Sequence, residues 1–333
     1  MKKTICFLLT SLLLLCAYAA QADVLTEWGI PQDVAAASGL IQTDVAGVTV
    51  GDAVVTIKEA AYDGVTAYIL YTLKDTKTNE QLGTLDSSSG RYLMNVDLYT
   101  YFADKKIGWW HDGIKVNGKE YAMPLTGGQY YGSAEPGLQE YYLNIRLDQA
   151  GIGYGEAETL GLPISNPDGE DGGYLTVKLD ASIKDKLTVA RQDINVSLGD
   201  TVATQVETVF SPIKVYVNVK LSPDAAAVKE QLGVEQNEVD KEADERDDFD
   251  GFTVDEAFAA VSVNSRWADH VVVADKDGKP IEGMMQGFSG SAATGADMVM
   301  FEFAAPDAYP DEMYLAATDE NGVPDMTMAI RIR

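Results

Sequence analysis

The clearest pattern of apolar and polar positions lies at residues 47–75. Apolar and polar side chains alternate at residues 55–58, which is the period of a strand with one buried face. Residues 67–73 are apolar at nearly every position, as in a strand that is covered on both faces. Asp63 and Gly64 form a turn signal between the two runs. The pattern predicts a hairpin with its second strand at the centre of a sheet.

A second regular pattern begins after Pro212. Residues 213–221 alternate strictly between apolar and polar, which predicts a strand with one wet face. A helix is predicted next, because Ser222 suits an N-cap, Pro223 a first helical position and Gly233 a C-terminal stop. Residues 235–250 carry nine acidic side chains and are predicted as a solvated insertion.

Short strands are predicted through the rest of the chain. They are residues 138–147, 174–183, 187–198, 201–210, 254–263, 271–274, 298–303, 313–317 and 326–332. Asn117 and Gly118 predict a tight hairpin turn, residues 76–90 a polar loop and residues 31–38 a short helix. So many strands beside so few helices favour an all-β fold. We expect two consecutive immunoglobulin-like β-sandwich domains, the second with a short helix and an acidic insertion.

The N-terminus has the features of a secretory signal peptide. Two lysines precede an apolar run at residues 5–20, and Ala20 and Ala22 are the small residues of a cleavage site. The run is shorter than the roughly 20 residues that span a bilayer. We therefore expect cleavage after Ala22 and a secreted or extracytoplasmic protein, with association to the cell surface as a variant of that location.

Four segments follow from these patterns. They are a signal peptide at residues 1–22, an N-terminal leader at 23–46, a first β-sandwich domain at 47–210 and a second at 211–333. The boundary between the sandwiches is placed at Ser211 and Pro212, because Pro212 opens a new strand.

The amino-acid composition excludes several classes of site and partner. Both cysteines, Cys6 and Cys16, lie in the signal segment, so disulfides, cysteine-ligated zinc and thiol catalysis are excluded from a mature chain. The formal net charge of −27 gives no basic face for nucleic acid. No later apolar run is long enough to span a bilayer, so no membrane insertion of the mature chain is expected.

Several of these runs resemble a known family. They are residues 47–50, 54–59, 62–64 and 68–73, followed by 210–213, 271–274 and 275–279. The first four are similar to the extracytoplasmic domain of unknown function found in Gram-positive anti-sigma-factor-like membrane proteins. The last three are similar to the immunoglobulin-like domain that commonly follows it. The resemblance implies a β-sandwich fold and offers no catalytic motif. A cleavable signal stands here where the family has its sigma-binding part and membrane span.

Sites for chemistry are sparse. The two histidines, His111 and His270, are far apart, which does not favour a zinc site. The sequence of residues 287–291 is similar to the Gly-x-Ser-x-Gly motif of a nucleophile elbow. Ser291 stands at the last glycine position, however, and no helical pattern follows the segment. Acidic residues are too numerous for a carboxylate pair to be picked out. The EF-hand template requires an aspartate at the position of Arg246, so no EF-hand is predicted. No cofactor is predicted, but a calcium site of another type in the acidic loops stays an open alternative.

The segment 92–142 is dense in aromatic residues, which make up only 9% of the whole chain. Trp109, Trp110, Tyr130 and Tyr131 are the candidate ligand-binding residues, because exposed rings can form a platform for sugars. Neighbouring strand residues point to opposite faces, so one of each pair is expected to face the core. Filling of the core by these rings is the alternative to a platform.

The sequence is compatible with three alternative functions. The first is a non-enzymatic binding, adhesion or sensory module, with an unknown protein or glycan of the cell envelope as its partner. The second is a carbohydrate-binding module that uses the aromatic segment. The third is an acid-rich secreted hydrolase, which would need a cleft with two facing carboxylates.

Overall fold

The computed structural model describes most of the chain after residue 23. The described residues are 24–50, 52–94, 113–122, 124, 126–165, 171–197, 201–223, 271–284, 286–291, 298–306, 308–318 and 322–333. They form mainly antiparallel strands, which confirms the predicted all-β class. The described helices are short; they are an α-helix at Gln32–Ser38 and 3-10 helices at Thr26–Trp28, Leu147–Ala150, Ala181–Lys186 and Met326–Met328. None of the helices in this part of the chain has the length and apolar character needed to cross a bilayer.

In chain order the strands are β1 (Gln42–Val50), β2 (Ala53–Tyr62), β3 (Thr66–Asp75), β4 (Gly83–Asp86), β5 (Arg91–Met94), β6 (Ile114–Val116), β7 (Lys119–Tyr121), β8 (Thr126–Gly132), β9 (Leu138–Arg146), β10 (Thr159–Ser165), β11 (Asp171–Lys178), β12 (Thr188–Ser197), β13 (Thr201–Phe210), β14 (Lys214–Pro223), β15 (Val271–Ala274), β16 (Gln286–Ser291), β17 (Met298–Ala304), β18 (Tyr314–Ala317) and β19 (Ile330–Arg331).

These strands form two pairs of sheets and a separate hairpin. The first pair consists of β1-β2-β3-β9-β8 and β11-β10-β6-β7, and the second of β12-β13-β14-β17-β16 and β15-β18-β19. In each pair, one cluster of buried apolar side chains includes residues from both sheets. The strands β4 and β5 pair only with each other. That the sandwiches are of the immunoglobulin-like type stays a prediction.

Strand β3 is the centre of the first sheet. All of its residues except Lys74 are buried, which confirms the prediction of a strand covered on both faces. The turn that precedes it is held by Asp63, whose carboxylate accepts the backbone N–H groups of Val65 (3.0 Å) and Thr66 (2.8 Å). Gly64 has a φ of 96°, a backbone conformation that favours glycine. The predicted hairpin is therefore confirmed, with β2 as its first strand.

The leader covers one face of this sheet. Val24 and Leu25 are fully buried, and the backbone N–H of Val24 donates to Oε2 of Glu59 on β2 (2.8 Å). Trp28 lies against β8, since a Cβ added to Gly127 would be 3.1 Å from its ring. The predicted helix at residues 31–38 is confirmed. The leader thus supplies apolar cover that the sheet needs on its second face.

Strand pairing disagrees with the predicted boundary between the two sandwiches. Strand β13 pairs with β14 along its length, from Thr201 opposite Pro223 to Phe210 opposite Val215. A first domain that ended at residue 210 would divide this sheet, because β12 and β13 belong with β14. A division of the chain into two domains stays a prediction, and the sheets favour placing it near Leu187.

Four local predictions are corrected. Ser222 and Pro223 end strand β14 instead of starting a helix, since they pair with Val202 and Thr201. The predicted loop at residues 76–90 contains β4, because polar strands of a solvent-facing hairpin carry little apolar signal. The strands predicted at 174–183 and 326–332 are shorter, since Ala181–Lys186 and Met326–Met328 are 3-10 helices capped by the carboxylates of Asp180 and Asp325.

Some predictions fall on positions outside the described residues. They are the signal peptide at 1–22, the helix beyond Pro223, the acidic segment 235–250, the strand 254–263, and both histidines.

Candidate functional site

The candidate site begins with the β4–β5 hairpin. Its turn has the sequence Asp-Ser-Ser-Ser-Gly, in which the Asp86 carboxylate accepts the hydroxyls of Ser88 (2.7 Å) and Ser89 (2.7 Å). These bonds from Ser89 and Ser88 lower the pKa of Asp86 to about 2. Gly90 closes the turn at a φ of 70°. The turn therefore fixes the direction of the backbone at Arg91, the first residue of β5.

Two glycines allow the hairpin to pack against β8. A Cβ added to Gly132 of β8 would lie only 2.7 Å from the Cα of Gly83 in β4, so the two backbones touch. No side chain fits at that crossing without moving one of the elements. Gly83 and Gly132 therefore set the distance between the hairpin and the sheet.

We predict that Gly132→Ala lowers the free energy of unfolding by about 1–3 kcal/mol, because the added methyl forces the hairpin away from β8. Urea unfolding measures the loss. Gly128→Ala in the same strand is the control, since its Cβ would lie 3.7 Å from Leu143 Cδ2 in ordinary contact. Equal losses in the two variants would contradict the close approach.

Arg91 joins the hairpin to the leader and to the first sheet. Its guanidinium forms an ion pair with Glu27 of the leader and lies 4.4 Å from the ring centre of Tyr131. The Tyr131 hydroxyl donates to Oε1 of the same Glu27 (2.7 Å). Tyr142 meets the Tyr131 ring edge to face, with centroids 5.8 Å apart. Three segments that are distant in sequence therefore meet at one charged aromatic cluster.

Beside this cluster lies a cleft of about 450 Å³, which we name the Arg91 cleft. It is lined by Ser89, Gly90, Arg91, Tyr92, Tyr131, Gly132, Ser133, Ala134, Glu140 and Tyr142. A volume of this order is typical of sites for small ligands. Its wall combines three tyrosine side chains with two charged side chains and two serine hydroxyls, a composition that can hold a polar ligand with an apolar surface.

Glu140 is the acidic group of the cleft. It lies directly opposite Tyr131 on β8 and Thr72 on β3, so it shares their face of the sheet. Burial is the main cause of its raised pKa; nearby Glu59 raises it further and Arg91 opposes the shift. Within the described part of the chain, no side chain or backbone group donates a hydrogen bond to its carboxylate. None of the described residues therefore prevents Glu140 from binding a ligand.

The four predicted site residues do not share one location. Tyr131 lines the Arg91 cleft, whereas Tyr130 lies on the opposite face of β8 with 54% of its surface exposed. This agrees with the expectation that neighbouring rings point to opposite faces. Trp109 and Trp110 lie outside the described residues. Of the two candidates that are described, the structure brings Tyr131 to this cleft.

Sequence patterns do not distinguish Glu27, Arg91 or Glu140 from other charged residues. Arg91 follows a Ser-rich turn and Glu140 sits in an alternating strand, so each reads as an ordinary surface charge. Glu27 is 104 residues from the tyrosine that it contacts. A hydrogen bond over that separation has no signal in one sequence. Tyr92 and Tyr142 were visible only as members of the aromatic segment.

A second group of polar side chains is buried between the two pairs of sheets. We name it the junction cluster; its members are Asp63, Tyr68, Arg146, Ser211, Lys214, Tyr216 and Glu302. Asp63 accepts hydrogen bonds from the hydroxyls of Tyr216 (2.6 Å) and Ser211 (2.9 Å), and burial raises its pKa. Because these side chains are almost inaccessible to solvent, the cluster holds elements together instead of meeting a ligand.

Other predicted chemistry finds no site in the described residues. No group of three or more His, Cys, Asp or Glu is arranged there to hold a metal ion. In the Ser-containing segment 287–291, Ser289 lies within strand β16, opposite Phe301 of β17, instead of at a turn. Glu140 is the only carboxylate among the residues that line the Arg91 cleft, so the facing pair that glycoside hydrolysis needs is not found in that lining.

Comparison with known proteins adds no family. No protein-family model matches the chain, and no curated protein matches it. Among solved structures, the chain is similar to a conserved domain protein from Bacillus anthracis, with 10% identity, a TM-score of 0.41 and 89% of each chain covered. A likeness at this level carries no inference about function.

Proposed function

We propose that this protein is a non-enzymatic extracytoplasmic binding module whose ligand occupies the Arg91 cleft. The observation that carries the proposal is the concentration of Tyr92, Tyr131 and Tyr142 around one open cleft that also presents Glu140. Aromatic rings provide contact area at small entropic cost, and a few polar groups orient the ligand. The signal-like N-terminus supports the extracytoplasmic part of the proposal.

The geometry of the cleft supports a preformed site. Arg91 and Tyr131 are both held by Glu27, and the crossing of Gly83 and Gly132 fixes the hairpin that forms one wall. Side chains that are oriented before binding lose little entropy when the ligand arrives. Among the described residues of the lining, one is a carboxylate, which is consistent with binding without hydrolysis.

A matched pair of variants tests the proposal. Ala134→Trp places a large ring in the lining of the cleft, and Ala181→Trp places the same ring at an exposed position on a 3-10 helix elsewhere. We expect calorimetric titration with a panel of saccharides, amines and carboxylates to find a ligand that binds the wild type and Ala181→Trp, and binds Ala134→Trp at least about tenfold more weakly.

The proposal fails if no member of the panel binds, or if Ala134→Trp and Ala181→Trp bind it equally. Recovery of the ligand unchanged after long incubation is also expected. A chemically altered ligand would instead favour the hydrolase alternative.

A further inference from the structure

The charges around the Arg91 cleft are unbalanced. Glu27, Glu59 and Glu140 approach it from the leader, β2 and β9, while Arg91 of the hairpin and Lys58 of β2 are the cations that oppose the rise in the pKa of Glu140. Arg91 is already paired with Glu27, and the Glu59 carboxylate accepts the backbone N–H of Val24. Glu140 has neither an ion pair nor a hydrogen bond within the described residues. The cleft therefore presents a half-buried carboxylate that has two cations nearby but no direct partner among the described residues.

The aromatic side chains of the cleft already accommodate a cation. The Arg91 guanidinium lies 4.4 Å from the ring centre of Tyr131 and 5.9 Å from that of Tyr142. Both distances fall within the roughly 6 Å over which a ring face attracts a positive charge. Tyr92, the third ring, lies next to Arg91 in the lining and is half exposed. Tyrosine faces around a carboxylate are a suitable environment for a second cation.

We infer that the ligand of the Arg91 cleft carries an ammonium group, primary or quaternary, which lies against Glu140 and the tyrosine faces. This inference rests on the proposed function and names the ligand class for the same site. An ammonium group supplies the direct ion pair that Glu140 lacks among the described residues, whereas a neutral saccharide supplies only hydrogen bonds. The chain's net charge of −27 also attracts cations over a long range.

The test uses the full mature chain with tetramethylammonium and n-butylammonium as probes, and cellobiose and N-acetylglucosamine as neutral probes. We expect both ammonium probes to bind the wild type. Glu140→Gln keeps the size and hydrogen-bonding capacity of the side chain but removes the charge, and should weaken ammonium binding by about tenfold or more. Glu140→Asp keeps the charge and should retain most of the binding.

Two further readouts separate a charge effect from a loss of shape. Ammonium binding should weaken as ionic strength rises. It should also weaken as pH falls towards the raised pKa of Glu140, because protonation removes the charge. Glu135→Gln is the matched control, since Glu135 is exposed and forms its ion pair with Lys74 at 2.7 Å, outside the lining.

The outcomes distinguish the inference from the proposed function. If a neutral saccharide binds, is blocked by Ala134→Trp and is insensitive to Glu140→Gln and to salt, the ammonium inference is wrong and the binding module stands. If neither ammonium probe binds, the ammonium inference is wrong, and the proposed function is wrong as well if no other member of the panel binds in a way that Ala134→Trp blocks. Equal ammonium affinities for the wild type and Glu140→Gln would also overturn the inference.

Discussion

Replacing Glu302 by alanine should lower the free energy of unfolding by about 3–5 kcal/mol, because it leaves two buried cations without their shared partner. The carboxylate of Glu302 on β17 accepts hydrogen bonds from Nη1 of Arg146 (2.9 Å) and Nζ of Lys214 (2.7 Å). All three side chains have 5% or less of their surface exposed. Arg146 belongs to the first pair of sheets and the other two to the second, so we expect the loss to weaken the junction between them. Guanidinium chloride unfolding provides the measurement.

The control is an exposed ion pair of similar geometry. Lys184 and Glu156 are 3.0 Å apart, with more than half of each side chain exposed. Glu156→Ala should cost less than about 1 kcal/mol, because solvent screens the charges. A Glu302→Ala loss as small as this would show that the junction cluster is open to water.

The same residue should give the protein an acid-sensitive junction. Burial by itself would raise the pKa of Glu302, but Lys214 and Arg146 outweigh burial and lower it below its ordinary value of 4.5. A lowered pKa means that the ionised group stabilises the fold above about pH 4.5, and that this contribution is lost as the pH falls further. Asp63, with its raised pKa, acts in the opposite sense. The difference in pH profile between the wild type and Glu302→Gln isolates the share of Glu302.

Truncation of β3 should be costly on both of its faces. Leu70 is opposite Tyr142 and Leu73 is opposite Gln139, so the two leucines point to different sides of the first sheet. Each is almost fully buried. Leu70→Ala and Leu73→Ala should each lower the free energy of unfolding by about 2–5 kcal/mol, as measured by urea unfolding.

Leu93→Ala is the control of identical chemistry on the β4–β5 hairpin. Leu93 is 49% exposed, so its truncation should change the free energy of unfolding by no more than about 0.5 kcal/mol. If Leu70→Ala cost no more than Leu93→Ala, the leader would not cover its face of the sheet.

The leader links the stability of the first sheet to the candidate site. Val24 and Leu25 are buried in the apolar cluster of that sheet, and Glu27, only two residues later, holds both Arg91 and Tyr131. Packing of the leader therefore places the carboxylate that orients the cleft. Glu27 acts through Arg91 and Tyr131 and is a positioning residue for the proposed ligand.

Patterns of adjacent residues predicted the local structure well. The apolar run at 67–73 is β3, Asn117-Gly118 is the turn between β6 and β7 with φ values of 50° and 78°, and residues 201–210 are β13. Each depends on side-chain alternation or on turn geometry, and a few neighbouring residues determine either property. The all-β class followed from these signals.

The arrangement of those elements depended on contacts that the sequence does not display. A strand such as β13 has the same alternation whichever sheet it joins, so its pairing with β14 was decided by which apolar faces pack together. Glu27, Arg91, Tyr131 and Glu140 meet because the leader and the hairpin fold onto one face of the first sheet. The residues themselves determined that this face would be covered; only tertiary packing decided that a cleft lined by Arg91 and Glu140 would lie at its edge.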